Sequence, residues 1–278
     1  MAIYGNNDTR RDLYEFDDGF ITSRAKAVVL VISSDDLIDN GDSTFSPRST
    51  PLGSRTGLVD GSGTKTLCAD QLYRDQPSAF EAYGSGFLIS PSVIATAKHV
   101  LETALQYDAI GKLRFVFGWS MVDALTARRI PATDIYAAQG VLKQGQGEAI
   151  AEDWALIELT SPVHGHEPLV LADAAPVVGT PLFCLSHPTQ LPLKYSTGWI
   201  SDISEPGLFR GPVTAFGGSS GSPVFNKDTG EVQGIYVHGP MDYDYRGNCV
   251  IASDYPTDDI SDHGRMVRIQ QLGLTTKK

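Results

Sequence analysis

The sequence predicts an all-β protein, and three observations carry that expectation. First, 28 glycines and 16 prolines among 278 residues break the chain into short segments joined by turns. Second, apolar runs of strand length recur between those turns, as in Ala27–Ile32, Leu113–Phe117 and Thr180–Leu185. Third, helical periodicity is scarce: only near Gly264–Leu272 do Met266, Ile269 and Leu272 recur at three-residue steps, which predicts a short C-terminal helix. With 41% hydrophobic residues, a chain of this length buries a large core and has room for two small barrels.

In chain order the expected strands are Ala27–Ile32, Phe87–Ser90, Val93–Thr96, Leu113–Phe117, Trp154–Leu159, Thr180–Leu185, Tyr195–Ser201, Pro223–Phe225 and Glu231–Val237. Between the first two lies Ser33–Thr66, rich in Ser, Gly, Asp and Thr, which reads as a long exposed loop with little structure of its own. Order resumes at Leu67–Leu72, a short helical turn. Pro162, Gly165, Pro168, Pro176 and Gly179 interrupt the pattern over 160–180. The boundary is therefore placed there: an N-terminal unit over 1–165 with the inserted loop at about 33–66, and a C-terminal unit over 166–278.

Chemistry concentrates in three segments. Gly217-Gly218-Ser219-Ser220-Gly221-Ser222-Pro223-Val224 sets a serine among glycines, whose freedom at positive φ lets successive backbone N–H groups converge on one point. Such N–H groups beside a nucleophile form an oxyanion hole. Ser220 is thus the candidate nucleophile, with the Gly218 and Ser220 amides as anion donors. A serine hydroxyl needs a base, and His99 follows a strand–turn–strand pattern in Gly84–Val100. An acid, Asp153, heads the apolar run Trp154–Leu159. A carboxylate there can accept the second imidazole N–H and fix the tautomer. The order His, Asp, Ser is one of several in which this constellation occurs. Taken singly, each residue has a plainer reading: a Gly/Ser turn, a core histidine, a strand-end acid.

Lys98-His99-Val100, Gly-Ser-Pro-Val-Phe-Asn at 221–226 and the opening Ile3-Tyr4-Gly5-Asn6-Asn7-Asp8 resemble the chymotrypsin-like serine peptidases. More narrowly, they are similar to the bacterial glutamyl-endopeptidase and exfoliative-toxin branch, from about Ile3 to about Tyr236. The resemblance implies two antiparallel six-stranded Greek-key barrels with the active site between them. It implies a serine endopeptidase acting through an acyl-enzyme with His99, Asp153 and Ser220. Two alternatives stay open: a regulatory peptidase activated by a protein partner in a larger complex, and a catalytically silent binding protein on the same fold. The resemblance also sets Ala2 at the mature start of those enzymes, so that removal of Met1 would free an α-amine beside the specificity pocket. Where the branch carries a threonine and a histidine that read an acidic substrate side chain, this chain has Ala215 and Tyr236. A glutamate preference therefore does not carry over. The expected substrate-binding residues are Thr214, Ala215, Tyr236, Val237, His238 and Gly239, with Val237–Gly239 offering an edge to the substrate backbone.

A net charge of −11 disfavours nucleic acid, whose phosphates need clustered Lys/Arg, and an anionic membrane surface. A polypeptide is the expected substrate, and a regulatory protein partner is carried as an alternative. No Cys/His spacing suggests zinc, and no cofactor is expected. Of three cysteines, Cys184 lies in an apolar run and reads as a buried thiol. Cys68 and Cys249 could pair in an oxidising compartment. The expected location is cytoplasmic for a complete chain, and secreted or periplasmic for a mature form.

Overall fold

Thirteen strands build the two principal sheets of the protein, seen in a computed structural model that describes residues 2–59, 61 and 63–274. They are β1 (Arg11–Asp12), β2 (Val28–Ser33), β3 (Gly84–Ser90), β4 (Val93–Thr96), β5 (Leu113–Phe117), β6 (Ile135–Gln144), β7 (Ala155–Leu159), β8 (Pro181–Ser186), β9 (Lys194–Trp199), β10 (Leu208–Gly211), β11 (Pro223–Asn226), β12 (Val232–His238) and β13 (Gly264–Arg268). Each of the nine expected strands overlaps one of these. β1, β6, β10 and β13 were not expected. Two helices complete the frame, α1 (Gly19–Ala25) and α2 (Lys98–Tyr107).

Six strands close a barrel in the order β5-β6-β7-β4-β3-β2, sealed by the antiparallel pairing of β2 with β5. The other seven form an open sheet, β10-β13-β12-β11-β8-β9-β1, where a second six-stranded barrel was expected. Two features keep it open. The free edge of β9 is taken by β1 from the start of the chain, through Lys194↔Asp12 and Tyr195↔Arg11. At the other end, β10 meets the chain leaving β9 only at the bridge Asp202–Arg210. Residues 3–12 thus pair with strands from beyond residue 190, across the boundary drawn from composition.

A single apolar core joins both sheets, running from Val29, Val31, Phe87 and Phe115 of the barrel to Phe183, Phe225, Ile235 and Val267 of the open sheet. In β2 every residue is buried. Val29 and Val31 face that core, while Leu30 and Ile32 point the other way into a cluster with Ala79, Trp119 and Ile130, the period-two alternation of a strand. Such a strand needs cover on both faces.

That need explains a departure from expectation. The inserted segment is ordered, not a bare loop: Leu37–Asp39, Thr44–Pro47 and Ser49–Pro51 are short strands. Leu52 and Leu67 are buried with Leu191, Phe216 and Tyr243. Cys68 and Cys249 form a disulfide across 181 residues of sequence, and Cys184 is a free, buried thiol. Burial pushes that thiol up to about 12.

The C-terminal helix is also corrected. Gly264–Arg268 is a strand hydrogen-bonded to β10 on one side and β12 on the other, followed by the 3₁₀ turn Ile269–Leu272. Ladder bonds on both edges outweigh local periodicity, and the three-residue step survives only in the 3₁₀ turn, whose period is three. Ala2 is buried, and its carbonyl accepts the Ala215 N–H at 3.3 Å. Met1, whose removal was expected to free the Ala2 amine, lies outside the described residues.

Candidate active site

β4 and β7 are antiparallel neighbours, with Thr96 opposite Ala155. The chain leaving β4 therefore sits beside the chain entering β7, and this juxtaposes His99 with Asp153 despite a sequence separation of 54. His99 lies in the first turn of α2, where backbone N–H groups have no partner within the helix. Its N–H donates to Asp153 Oδ1 at 2.9 Å, and its Nδ1 lies 2.6 Å from Oδ2. One carboxylate thus holds both the backbone and the ring. With Nδ1–H donating to Asp153, Nε2 is left as the acceptor of the neutral imidazole. The sequence reading had His99 on a short turn. The ten-residue helix instead fixes the ring's approach.

The 217–222 loop rests on β3 and on β4, the strand that leads to His99. Ser85 N–H donates to the Ser220 carbonyl at 2.9 Å, and Thr96 Oγ1 donates to the Ser85 carbonyl at 2.7 Å. Gly221 adopts φ +87, and a Cβ there would lie 2.1 Å from the Ser85 carbonyl oxygen, so only glycine fits. Ser220 is buried to 5% exposure. No hydrogen bond joins its hydroxyl to His99 among the described residues. The structure therefore brings His99 and Asp153 into direct contact and seats Ser220 on β3, the antiparallel neighbour of the strand that leads to His99.

The amides of the loop separate into two sets. Phe216 N–H donates to Ser219 Oγ, Gly217 N–H to Asp242 Oδ2 at 2.7 Å, Ser219 N–H to Phe216 O, Gly221 N–H to Tyr236 O and Ser222 N–H to Ser219 O. Gly218 and Ser220 donate to no acceptor among the described residues. The Gly217 carbonyl accepts the Thr189 N–H at 2.5 Å. Across a trans peptide the N–H points opposite to the C=O, so Gly218 N–H is turned away from Thr189. The Gly218 carbonyl in turn accepts Ser85 Oγ at 2.8 Å, and Ser85 Oγ accepts the His187 N–H at 3.0 Å.

The expected substrate residues divide differently. Thr214, Ala215, Tyr236 and Val237 are all buried, His238 is exposed and Gly239 is half-buried. Tyr236 does not line an open pocket. Its ring packs among Leu182, Phe209, Val213, Ala215 and Met266, and a Cβ on Gly264 would meet its hydroxyl at 2.6 Å. A large ring with a glycine opposite fills the space that a pocket would need. Thr214 lines a separate cavity with Tyr4, Trp199 and Thr257 that contains none of the three candidate catalytic residues. His238 pairs across the sheet with Arg265. Burial first, and the Arg265 guanidinium second, hold its imidazole below the usual value, while His99 and Asp153 also act on it.

Sequence reasoning missed Ser85, Asp242, Thr189 and Arg265. None stands in a motif. Asp242 is an acid in an acidic, Tyr-rich stretch, and only the fold places it under Gly217, where burial pushes its carboxyl up.

The family model of the trypsin-like peptidase domain matches residues 84–235, the span that holds His99, Asp153 and Ser220. No curated protein matches the sequence. Among solved structures, the chain is similar to the VesB protease of Vibrio cholerae, at a TM-score of 0.52 and 13% identity over 98% of this chain and 66% of that one. It is also similar to a serine endoprotease of Yersinia pestis, at 0.52 and 15% identity over 93% of this chain and 65% of that one. The chain thus spans just under two thirds of each of these two proteins, and at such identities the likeness is one of fold. The matched family covers more than half of the sequence and all three motifs, and the chain belongs to the trypsin-like peptidase domain family.

Proposed function

We propose that the protein is a serine endopeptidase that hydrolyses peptide bonds through an acyl-enzyme. One observation carries this reading: in the loop around Ser220, the only amides between Phe216 and Ser222 without an acceptor among the described residues are those of Gly218 and Ser220, and the loop rests on β3 and on β4, the strand that leads to His99 and its Asp153 partner. Unfilled, preorganised donors beside a nucleophile are what stabilisation of a tetrahedral oxyanion requires.

In the proposed cycle Ser220 Oγ attacks the scissile carbonyl while His99 Nε2 takes its proton. Asp153 holds the ring and stabilises the imidazolium. The oxyanion rests on the Gly218 and Ser220 amides. On collapse, His99 protonates the departing amine, and water then releases the acyl group by the same route. The Ser220–His99 hydrogen bond is the link that closes on substrate binding, since such contacts tighten in the Michaelis complex.

Substrate backbone is proposed to add along Val237–Gly239. Kinship with the glutamyl-endopeptidase branch is part of the proposal, on the motifs at Lys98–Val100 and 221–226. Because Tyr236 and Ala215 are packed in the core, the groups left to read an acidic side chain are His238 and its cross-strand neighbour Arg265.

A fluorophosphonate probe tests the mechanism. Wild type should label covalently, Ser220→Ala not at all, and Asp153→Asn far more slowly, by about 10⁴ where the chymotrypsin template applies. Equal labelling of wild type and Ser220→Ala, or none of a folded wild type, refutes it. A peptide library then reads the preference: an acidic residue near the cleaved bond supports His238 and Arg265 as its readers, and an uncharged one refutes that role.

A further inference from the structure

Thr189 and Gln190 adopt φ values of 51, the left-handed region that residues with a Cβ rarely enter and that a β-branched threonine enters least. Such a conformation persists only where its surroundings over-determine it. Here the surroundings come from Arg55 of the inserted segment and from Ser78 of the short strand Pro77–Ala79 that follows it. Ser78 Oγ donates to the Thr189 carbonyl at 2.7 Å. Arg55 Nη1 donates to Ser78 Oγ at 2.6 Å and to Gln190 Oε1 at 2.7 Å, with the Thr189 carbonyl at 3.4 Å. Arg55 is half-buried, and desolvation lowers its pKa. Among the described residues it makes no ion pair, and the acceptors named here are neutral. A desolvated guanidinium without a carboxylate is costly, so its placement calls for a role.

The consequence of holding Thr189 is local. Its N–H is the donor to the Gly217 carbonyl at 2.5 Å, and that bond decides which way the Gly217–Gly218 peptide faces. Flipping this peptide would turn the carbonyl to where Gly218 N–H now points and remove one donor from the anion trap. A second arm acts on the same loop. Asp242 accepts the Gly217 N–H, and the Tyr243 hydroxyl bonds Thr189 Oγ1 at 2.8 Å. Tyr243 opens the hairpin Tyr243–Arg246/Cys249–Ala252, and Cys249 is disulfide-bonded to Cys68 just beyond the insertion.

We propose that Arg55 and Ser78 are positioning residues: together they clamp Thr189–Gln190 so that the Gly217 carbonyl stays turned out and the Gly218 amide stays available to the oxyanion. This rests on the serine-peptidase reading above. The clamp acts on the chemical step and not on substrate binding, because neither side chain reaches Ser220 or His99.

The test uses the full chain with its disulfide intact. Rates of fluorophosphonate inactivation, and kcat and KM for p-nitrophenyl butyrate, are measured for wild type, Arg55→Met, Ser78→Ala and Arg55→Met/Thr189→Gly. Removing one oxyanion donor outright lowers kcat by about 10²–10³, so loosening it should lower inactivation rate and kcat by about tenfold or more, with KM unchanged. Thr189→Gly in the Arg55→Met background should restore much of the rate, since glycine takes the left-handed conformation without strain. A general loss of packing would not be rescued by adding a glycine. Arg55→Met and Ser78→Ala that are folded and react at the wild-type rate overturn the clamp while leaving the peptidase reading intact. A folded wild type that does not react overturns both. Should Arg55→Met not fold, Ser78→Ala, which removes one hydroxyl, decides alone by the same rate comparison.

Discussion

His187 offers a pH prediction whose size follows from its surroundings. The side chain is buried to 1% exposure, stacked on Trp119 with ring centroids 5.7 Å apart. Nδ1 lies 2.9 Å from the Leu191 carbonyl, so Nδ1–H donates there and the neutral ring is satisfied. Burial pushes the imidazole down to about 3, partly offset by the Leu191 bond, with the Lys194 ammonium opposing protonation further. The unfolded chain holds an ordinary histidine near 6.5. The unfolded state therefore binds the proton first, and stability is lost as pH falls below 6.5, at up to about 1.4 kcal/mol per pH unit. From about pH 7.5 to about pH 5 this one group removes roughly 2 kcal/mol. In His187→Asn the amide can still donate to Leu191 but does not titrate. Urea unfolding of both proteins at the two pH values isolates the contribution, because all other titrating groups are shared. The variant's stability should fall by about 2 kcal/mol less than that of wild type. Parallel pH dependences would show that His187 is not held neutral by the fold, and the reasoning would be wrong.

Two further outcomes follow from the packing. Lys194 and Asp12 form an ion pair at 2.5 Å with side-chain exposures of 0% and 2%, and Gln76 donates to Asp12 as well. Lys194→Met strands the carboxylate and should cost about 3–5 kcal/mol, with Asp12→Leu/Lys194→Met costing less than the single change; chemical denaturation of the three proteins checks the order, and an additive double variant would refute the pairing. Gly221→Ala places a Cβ 2.1 Å from the Ser85 carbonyl at φ +87 and should cost about 2–5 kcal/mol from strain and overpacking together. Thermal unfolding and probe labelling should fall together in that variant, and an unchanged midpoint would contradict the packing described.

Much of the frame was legible in residues close together in sequence. Val93–Thr96 and Leu113–Phe117 form strands at the expected bounds, because apolar runs between turn-formers have few other ways to be satisfied. The motif residues were legible for the same reason. Gly221 needs its positive φ whatever surrounds it, and an imidazole after one apolar strand with a carboxylate before another is a local pattern. The ten-residue helix carrying His99 was missed although Lys98–Tyr107 is amphipathic, with Val100, Leu101 and Ala104 buried on one face, because the segment is short and directly continues an apolar strand. The order within 37–79 was not visible either. Of its few apolar residues, Leu37 and Ala79 cover the outer face of Leu30 and Ile32, whereas Leu52 and Leu67 pack on Leu191, Phe216 and Tyr243, a partner set distant in sequence.

The amino-acid order by itself determined the strand-rich architecture, the placing of His99, Asp153 and Ser220 at the ends of apolar segments, and the glycines that let the loop around Ser220 form. Tertiary structure alone decided that the second sheet stays open, that Tyr236 fills the space a pocket would use, and that Thr189, Asp242 and Ser85 set the direction of each peptide from Gly217 to Ser219. The reason is physical. A turn or a strand is governed by neighbours along the chain, whereas a peptide's facing and a cavity's volume depend on groups 25 to 133 positions away, whose meeting no local pattern encodes.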